Sequence, residues 1–192
     1  LNVLEKLQYI SIDDHSVMLK GRVACEINTC DSLIVTELIF ENVLESLEPE
    51  EIVSLLSCLI FQRNNDDKIN LSKRLINAYE KLVKVTKQLG DIQYKYNIPH
   101  ISGKDLVEQN IHPQMMEVTY EWAKGTSFSD ICNLTSVLEG SIVRCITRLD
   151  ETCRDVKNAA RVIGDTTLFQ KMEKASELIK RDIVFAASLY IN

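Results

Sequence analysis

The chain is poor in the residues that break or staple a fold. Three Pro and six Gly in 192 residues exclude a collagen-like chain, and 45% hydrophobic residues with 26% charged exclude an unfolded one. No apolar run is long enough to cross a bilayer, so no membrane span is expected. None of the six cysteines (Cys25, Cys30, Cys58, Cys132, Cys145, Cys153) belongs to a C-x-x-C pair. They fall within apolar helical patterns and are expected to be reduced, buried, intracellular thiols. Cys25 and Cys30 have no second pair at finger spacing, so core packing accounts for them better than a metal. Positive charge is also short: 22 Lys/Arg against 28 Asp/Glu leave −6, which argues against nucleic-acid binding by bulk charge and leaves only a local basic surface. Phosphate-loop, dinucleotide, nucleophile-elbow and H-E-x-x-H signatures are all missing. The chain alone is therefore not read as a nucleotide hydrolase, and no catalytic residue, metal ligand or cofactor site is assigned to it.

What is present is enough for one domain or two small ones, with a packed core. The charge is unevenly placed. Residues 1–67 hold 4 Lys/Arg against 13 Asp/Glu, 68–111 hold 8 against 4, and 112–192 hold 10 against 11. The first residue is Leu1 and no signal-peptide pattern follows it, so the sequence reads as a piece of a longer chain.

Residues 1–30 differ from the rest: after a helical lead-in, Gln8–Ile12 and Ser16–Val23 look extended and are split by Asp13-Asp14-His15, which predicts a small hairpin. From Asp31 the period is helical. Pro49 opens a helix through Gln62 with a stripe of Ile52, Leu55, Leu56, Leu59 and Ile60, and Asn64–Asp67 form a polar break. Leu71, Leu75, Ala78, Leu82, Val85, Leu89, Ile92 and Tyr96 predict a long helix, locally weakened by Gly90, whose exposed positions carry Lys73, Arg74, Lys81, Lys84 and Lys87. A loop at 98–103 precedes a helix from Pro113 to Lys124 that stops at Gly125 and buries Met115 and Trp122. Capping boxes at Ser127-x-x-Asp130 and Ser136-x-x-Glu139 open a short helix and then a long one through Ile163. Gly164-Asp165 breaks the chain before a last helix with a stripe from Leu168 through Ile179 to Ile183, Ala186 and Tyr190. The expected architecture is an all-α helical bundle.

Histidines 15, 100 and 112 sit beside turn residues or proline and are expected to be solvated loop or cap residues. Adjacent acids, Glu50-Glu51 and Asp150-Glu151, diverge on a helix and make poor acid–base pairs. In the helix from Ser136, the buried stripe of Ile142, Ile146, Leu149, Cys153, Val156 and Ala160 leaves Arg144, Arg148, Glu151 and Asp155 on nearly the opposite side. Two readings of that face stay open. Guanidinium groups one turn apart can stack on bases and pair with phosphates, or the face is ordinary and solvated, with Arg148 and Glu151 at ion-pair spacing. Phe128 onward also has helix-turn-helix spacing, but its second helix would lead with Val137, Leu138, Glu139 and Gly140, a poor set for reading base edges.

Several blocks together carry a family likeness: LKGRVACEI (19–27), TELIF (36–40), PEEIVSLLSCLIFQ (49–62), MEVTYEWAKGTSFSDIC (116–132), EGSIVRCITRLDE (139–151) and KRDIVFAASLY (180–190). In this order they resemble the C-terminal helical domain, DSHCT, of the superkiller and exosome-associated DExH-box RNA helicases. The resemblance implies about seven helices over 31–192, preceded in 1–30 by the end of a winged-helix segment that supplies the hairpin. It implies two upstream ATPase domains of the same parent chain as partners, which with this domain close a ring around single-stranded RNA. ATP and Mg would be bound by the parent helicase and by no part of this fragment, which alone is expected to be inactive. The helix from Ser136 matches the family's ratchet helix, and by motif position Arg148 and Glu151, with Arg144 as a lesser candidate, match its RNA-binding residues. Such helicases move 3′ to 5′ and feed RNA to the exosome with Ski-complex or exosome-cofactor subunits. The run 152–165 is closer to the cytoplasmic Ski-complex branch than to the nuclear one. The alternatives are a free-standing helical protein–protein scaffold and, behind it, a helix-turn-helix DNA binder.

Overall fold

The computed structural model describes residues 1–62, 65–97 and 102–181, and every regular element among them is a helix. In order these are α1 (Asn2–Lys6), α2 (Leu19–Ala24), α3 (Ser32–Phe40), α4 (Pro49–Ile60), α5 (Lys73–Lys95) and α6 (Gly103–Asn110). A 3-10 turn (Pro113–Met115) then leads into α7 (Met116–Lys124), α8 (Phe128–Cys132), α9 (Glu139–Ile163) and α10 (Thr166–Ile179). The all-α bundle expected from the sequence is the observed fold, with eight α-helices among the described residues from Ser32 onward against about seven expected.

Local chemistry sets most boundaries. Asp31 caps α3 by accepting from the Leu33 and Ile34 amides, both at 3.0 Å, and Asp165 caps α10 through the Leu168 amide at 2.9 Å. Pro49 occupies the first turn of α4, where its missing N–H costs nothing. Gly125 (φ 105°) and Gly164 (φ 83°) end α7 and α9 in the left-handed conformation that favours glycine.

The core is built around α4, in which all ten residues from Glu51 to Ile60 are buried. Helices α5, α7, α9 and α10 surround it. The expected stripe is therefore joined by Val53 and Cys58. Two serines are accommodated because the Ser54 hydroxyl donates to the Met116 carbonyl (2.8 Å) and the Ser57 hydroxyl to the Ser54 carbonyl (2.6 Å). Glu51 is buried as well, accepting from the Glu48 amide (3.0 Å) and from Arg74 (3.0 Å).

Several expectations are corrected. The hairpin reduces to one antiparallel bridge, Ile10 to Val17, because Leu19–Ala24 forms α2, which turns Val23 into the core, and Ile27 enters the core just after that helix. Cys25 is exposed and Cys30 and Cys132 are half-buried; only Cys58, Cys145 and Cys153 are core thiols, and all six are free. His112 is buried, with its amide donating to the Cys58 carbonyl at 2.9 Å, whereas His15 is exposed with its ring Nδ1 3.1 Å from a Glu5 carboxylate oxygen. His100 lies outside the described residues. Helix α6, capped by Ser102 through the Asp105 amide, begins at Gly103, the last residue of the stretch expected to be a loop; residues 98–101 of that stretch lie outside the described residues. The last helix ends at Ile179, because Lys180 turns to Asp150 and Arg181 stacks on Trp122, 3.5 Å from the ring centroid, while donating to the Trp122 carbonyl at 2.7 Å. Ile183, Ala186 and Tyr190 lie outside the described residues.

Residues 1–30 are joined to the bundle by a buried carboxylate. Glu37 of α3 accepts from the Tyr9 hydroxyl at 2.9 Å and from Lys20 at 2.9 and 3.2 Å. Burial and the Glu37 charge push the Tyr9 hydroxyl far above its ordinary value, so it stays a donor.

Gly90 also has a different role from the one its propensity suggests. A Cβ there would meet the Gly103 Cα at 2.6 Å and the Ser102 carbonyl at 2.8 Å, so α5 and the start of α6 touch backbone to backbone through two glycines. Helix propensity says that Gly90→Ala should stabilise by about 1 kcal/mol. The packing predicts the opposite, a loss of about 1–3 kcal/mol by overpacking, read from the urea midpoint. An unchanged or raised midpoint would contradict this contact.

Candidate nucleic-acid interface

Helix α9 is positioned first at its beginning. The Ser136 capping box does not form: Leu138 is the N-cap residue, makes no side-chain cap bond and is 76% exposed. Ser136 is instead held by Asp67, across 69 residues. The Asp67 carboxylate accepts from the Ser136 amide (2.7 Å), the Ser136 hydroxyl (3.0 Å), the Thr135 hydroxyl (2.7 Å) and the Asn65 amide group (2.9 Å). The Ser136 amide and the Thr135 hydroxyl hold the Asp67 carboxyl below the usual carboxylate range. This brace also separates α8 from α9 by residues 133–138, longer than the three to four residues usual in a helix-turn-helix.

The expected stripe of α9 is buried throughout, with Val143, Cys145, Asp150, Thr152 and Ala159 added to it. Asp150, 1% exposed, is a fastening that the sequence pattern did not single out. It pairs with Arg154 one turn on and with Lys180 at 3.4 Å, and accepts from the Ser176 hydroxyl of α10. Glu151, its neighbour, is exposed on the other side. Adjacent acids diverge as helical geometry requires.

On the outer face, Arg144, Arg148 and Glu151 line one open depression of about 430 Å³ with Val143 and Thr147. Asp155 is not part of it. The Arg148–Glu151 ion pair allowed by spacing is not formed. Arg148 donates instead from Nε (3.1 Å) and Nη2 (2.8 Å) to the Thr29 carbonyl, on the loop between α2 and α3. Asp155 holds the same loop from two turns further along, accepting from the Asn28 amide (2.8 Å), the Thr29 amide (3.2 Å) and the Thr29 hydroxyl (3.1 Å). The Thr29 and Thr152 hydroxyls complete the network at 2.8 Å. Of the five N–H donors of Arg148, two are used, so three donors and the planar faces remain for a ligand. Arg144 makes a single bond, to the Ser141 hydroxyl at 3.2 Å.

This arrangement can grip but has no group for covalent chemistry. Cys30, in the same loop next to Thr29, has its thiol pushed up to about 12 by burial, and Cys145 likewise to about 12; both stay protonated at neutral pH and are poor nucleophiles or metal ligands.

The chain as a whole is similar to known proteins. Residues 14–186 match the family model described as the DSHCT (NUC185) domain. The chain is 48% identical over 191 residues to the DExH-box ATP-dependent RNA helicase DExH11 of Arabidopsis thaliana, covering 100% of this chain and 14% of that protein. It is 44% identical over 194 residues to the antiviral helicase SKI2 of Saccharomyces cerevisiae, covering 100% of this chain and 15% of that one. It is 37% identical over 189 residues to the exosome RNA helicase MTR4 of Homo sapiens, covering 98% and 18%. The chain thus spans less than a fifth of the length of the curated relatives it matches.

Two predictions follow from the fastenings. Asp155→Ala removes three hydrogen bonds, one of them to a side chain, and should cost about 1–3 kcal/mol. Hydrogen exchange of the Asn28 and Thr29 amides should accelerate about tenfold or more, and unchanged protection would show that the loop is held otherwise. Asp67, with its carboxyl below the ordinary value of about 3.9, contributes stability present above that value and lost as pH falls through its lower folded value. Asp67→Asn should therefore flatten the part of the stability profile below about pH 4, measured by thermal melts in a pH series.

Proposed function

Because the chain belongs to the DSHCT (NUC185) domain family, we propose that it is the C-terminal helical domain of an ATP-dependent RNA helicase. In this reading the parent moves 3′ to 5′ along single-stranded RNA and feeds it to the exosome. The observation that carries the assignment of the site is the depression on α9 where Arg144, Arg148 and Glu151 converge. Residues 1–30 are taken as the end of a preceding winged-helix segment and 31–192 as the helical domain.

The chain's own part is binding. Arg148, held by the Thr29 carbonyl, offers its remaining donors and its plane to passing bases and phosphates. Glu151 accepts from base amino or sugar hydroxyl groups, and Arg144 adds charge on the turn before. Stacking and single hydrogen bonds of this kind tolerate any sequence, as translocation needs. ATP and Mg belong to the ATPase domains of the parent, which pack against this domain. Other partners are subunits of the Ski complex or exosome cofactors. Identity of 44% to yeast SKI2 and 42% to the human Superkiller complex protein 2, against 37–40% to proteins named MTR4, favours the cytoplasmic Ski branch over the nuclear one.

The test is the double variant Arg148→Ala/Glu151→Ala in the full protein. RNA unwinding should slow severalfold while basal ATP turnover is largely kept, as for groups that touch only the nucleic acid. Unaltered unwinding would overturn the site and favour the helical scaffold.

A further inference from the structure

Helix α5 carries the positive charge of the middle of the chain, and its lysines are spent on nothing within the fold. Lys73, Lys81, Lys84, Lys87 and Lys95 are all exposed, and none makes an ion pair or hydrogen bond among the described residues. Other bases do find partners: Arg74 pairs with Glu51, Lys104 with Glu108, Lys124 with Glu121 and Lys174 with Glu177. At about 100° per residue the five lysines fall within an arc of about 120°, and at about 1.5 Å per residue they extend over about 33 Å. Two acids share that arc, Glu80 and Asp91, and Asp91 is engaged by the Gly103 amide at 3.0 Å.

The composition of this face indicates its partner. Protein–protein interfaces exclude lysine from their centres and are anchored by apolar or aromatic side chains. Here the exposed apolar residues, Ile76 and Tyr94, stand at the edge of the arc and the lysines occupy its middle. Ammonium groups without the arginine fork suit a row of phosphates contacted as point charges. Tyr94, 63% exposed near the last of the lysines, adds a surface on which a base can stack. In a chain of net charge −6, such a face is a local reversal of sign. It is also separate from the depression on α9: α5 packs chiefly on α6, α3 and α4, whereas α9 packs on α10, α4 and α2.

We propose that the lysine face of α5 is a second, outer RNA-binding surface that holds the phosphate backbone of a single strand beyond the α9 site. Its preference for a polyanion stands on the face itself; the choice of RNA rests on the function proposed above.

The experiment compares a short single-stranded RNA, which can fill only one site, with a long one, using the full protein. All five lysines are changed to Gln, a comparable helix former, with an all-Arg variant as the charge-preserving control and circular dichroism as the check on folding. The Gln variant should bind the short strand normally and the long strand roughly tenfold more weakly, with a salt slope shallower by about 2, as expected for about three lost phosphate contacts. The Arg variant should bind both like the parent. Arg148→Ala/Glu151→Ala should instead weaken the short strand; if it does not, the α9 reading fails while the long-strand comparison still judges α5. Unchanged long-strand affinity and slope in the folded Gln variant would overturn the proposal. So would equal loss for both strands, or loss of binding to polyglutamate with RNA binding intact, which would mark a dock for an acidic protein.

Discussion

A helix with no side left for water constrains everything around it. From Glu51 to Ile60, α4 is buried in full, so α5, α7, α9 and α10 must each give it an apolar face, and their own opposite faces are thereby assigned to solvent or to partners. Burying one large aliphatic side chain contributes about 1.5–3 kcal/mol, and α4 alone buries Ile52, Val53, Leu55, Leu56, Leu59 and Ile60. The orientation of α9, and with it the outward placement of Arg144, Arg148 and Glu151, follows from this arrangement.

Apolar packing sets which faces meet but leaves the helices free to slide or turn by small amounts. Carboxylates remove that freedom. Glu37 ties Tyr9 and Lys20 to α3, Asp67 ties the start of α9 to the segment after α4, Asp150 ties α9 to α10, and Asp155 ties α9 to the loop before α3. Each is satisfied by two or more donors. A buried or half-buried carboxylate is tolerable only on that condition, and it then fixes its elements by direction as well as distance. The acidic first third of the chain is in part the supply of these fastenings.

Under the RNA-binding role proposed for α9, the same fastenings matter to the site. A grip on moving RNA needs side chains that are presented at a fixed place yet not consumed by the fold. Arg148 meets both needs, because Nε and Nη2 are committed to the Thr29 carbonyl and the rest of the guanidinium is not. The loop at Asn28–Thr29 lies in the N-terminal thirty residues, so any shift of that segment would be felt at the arginine.

The sequence by itself determined the all-α class, the family, and the helices that begin at Asp31, Pro49, Ser127 and after Asp165 and end at Gly125 and Gly164. These depend on periodicity and on capping residues within a few positions of the boundary, which are local physics. It also placed Arg144, Arg148 and Glu151 on one face of one helix. Only the tertiary structure decided what those residues touch. Arg148 bonds a carbonyl 119 residues away, Ser136 is captured by Asp67 across 69 residues, and Gly90 serves a backbone contact with Gly103 where propensity reads it as a weak point. Val23, in a segment with the look of a strand, becomes helical and is buried in the core in that form. Contacts of this range leave no trace in local spacing, since they depend on which elements the burial of α4 brings side by side.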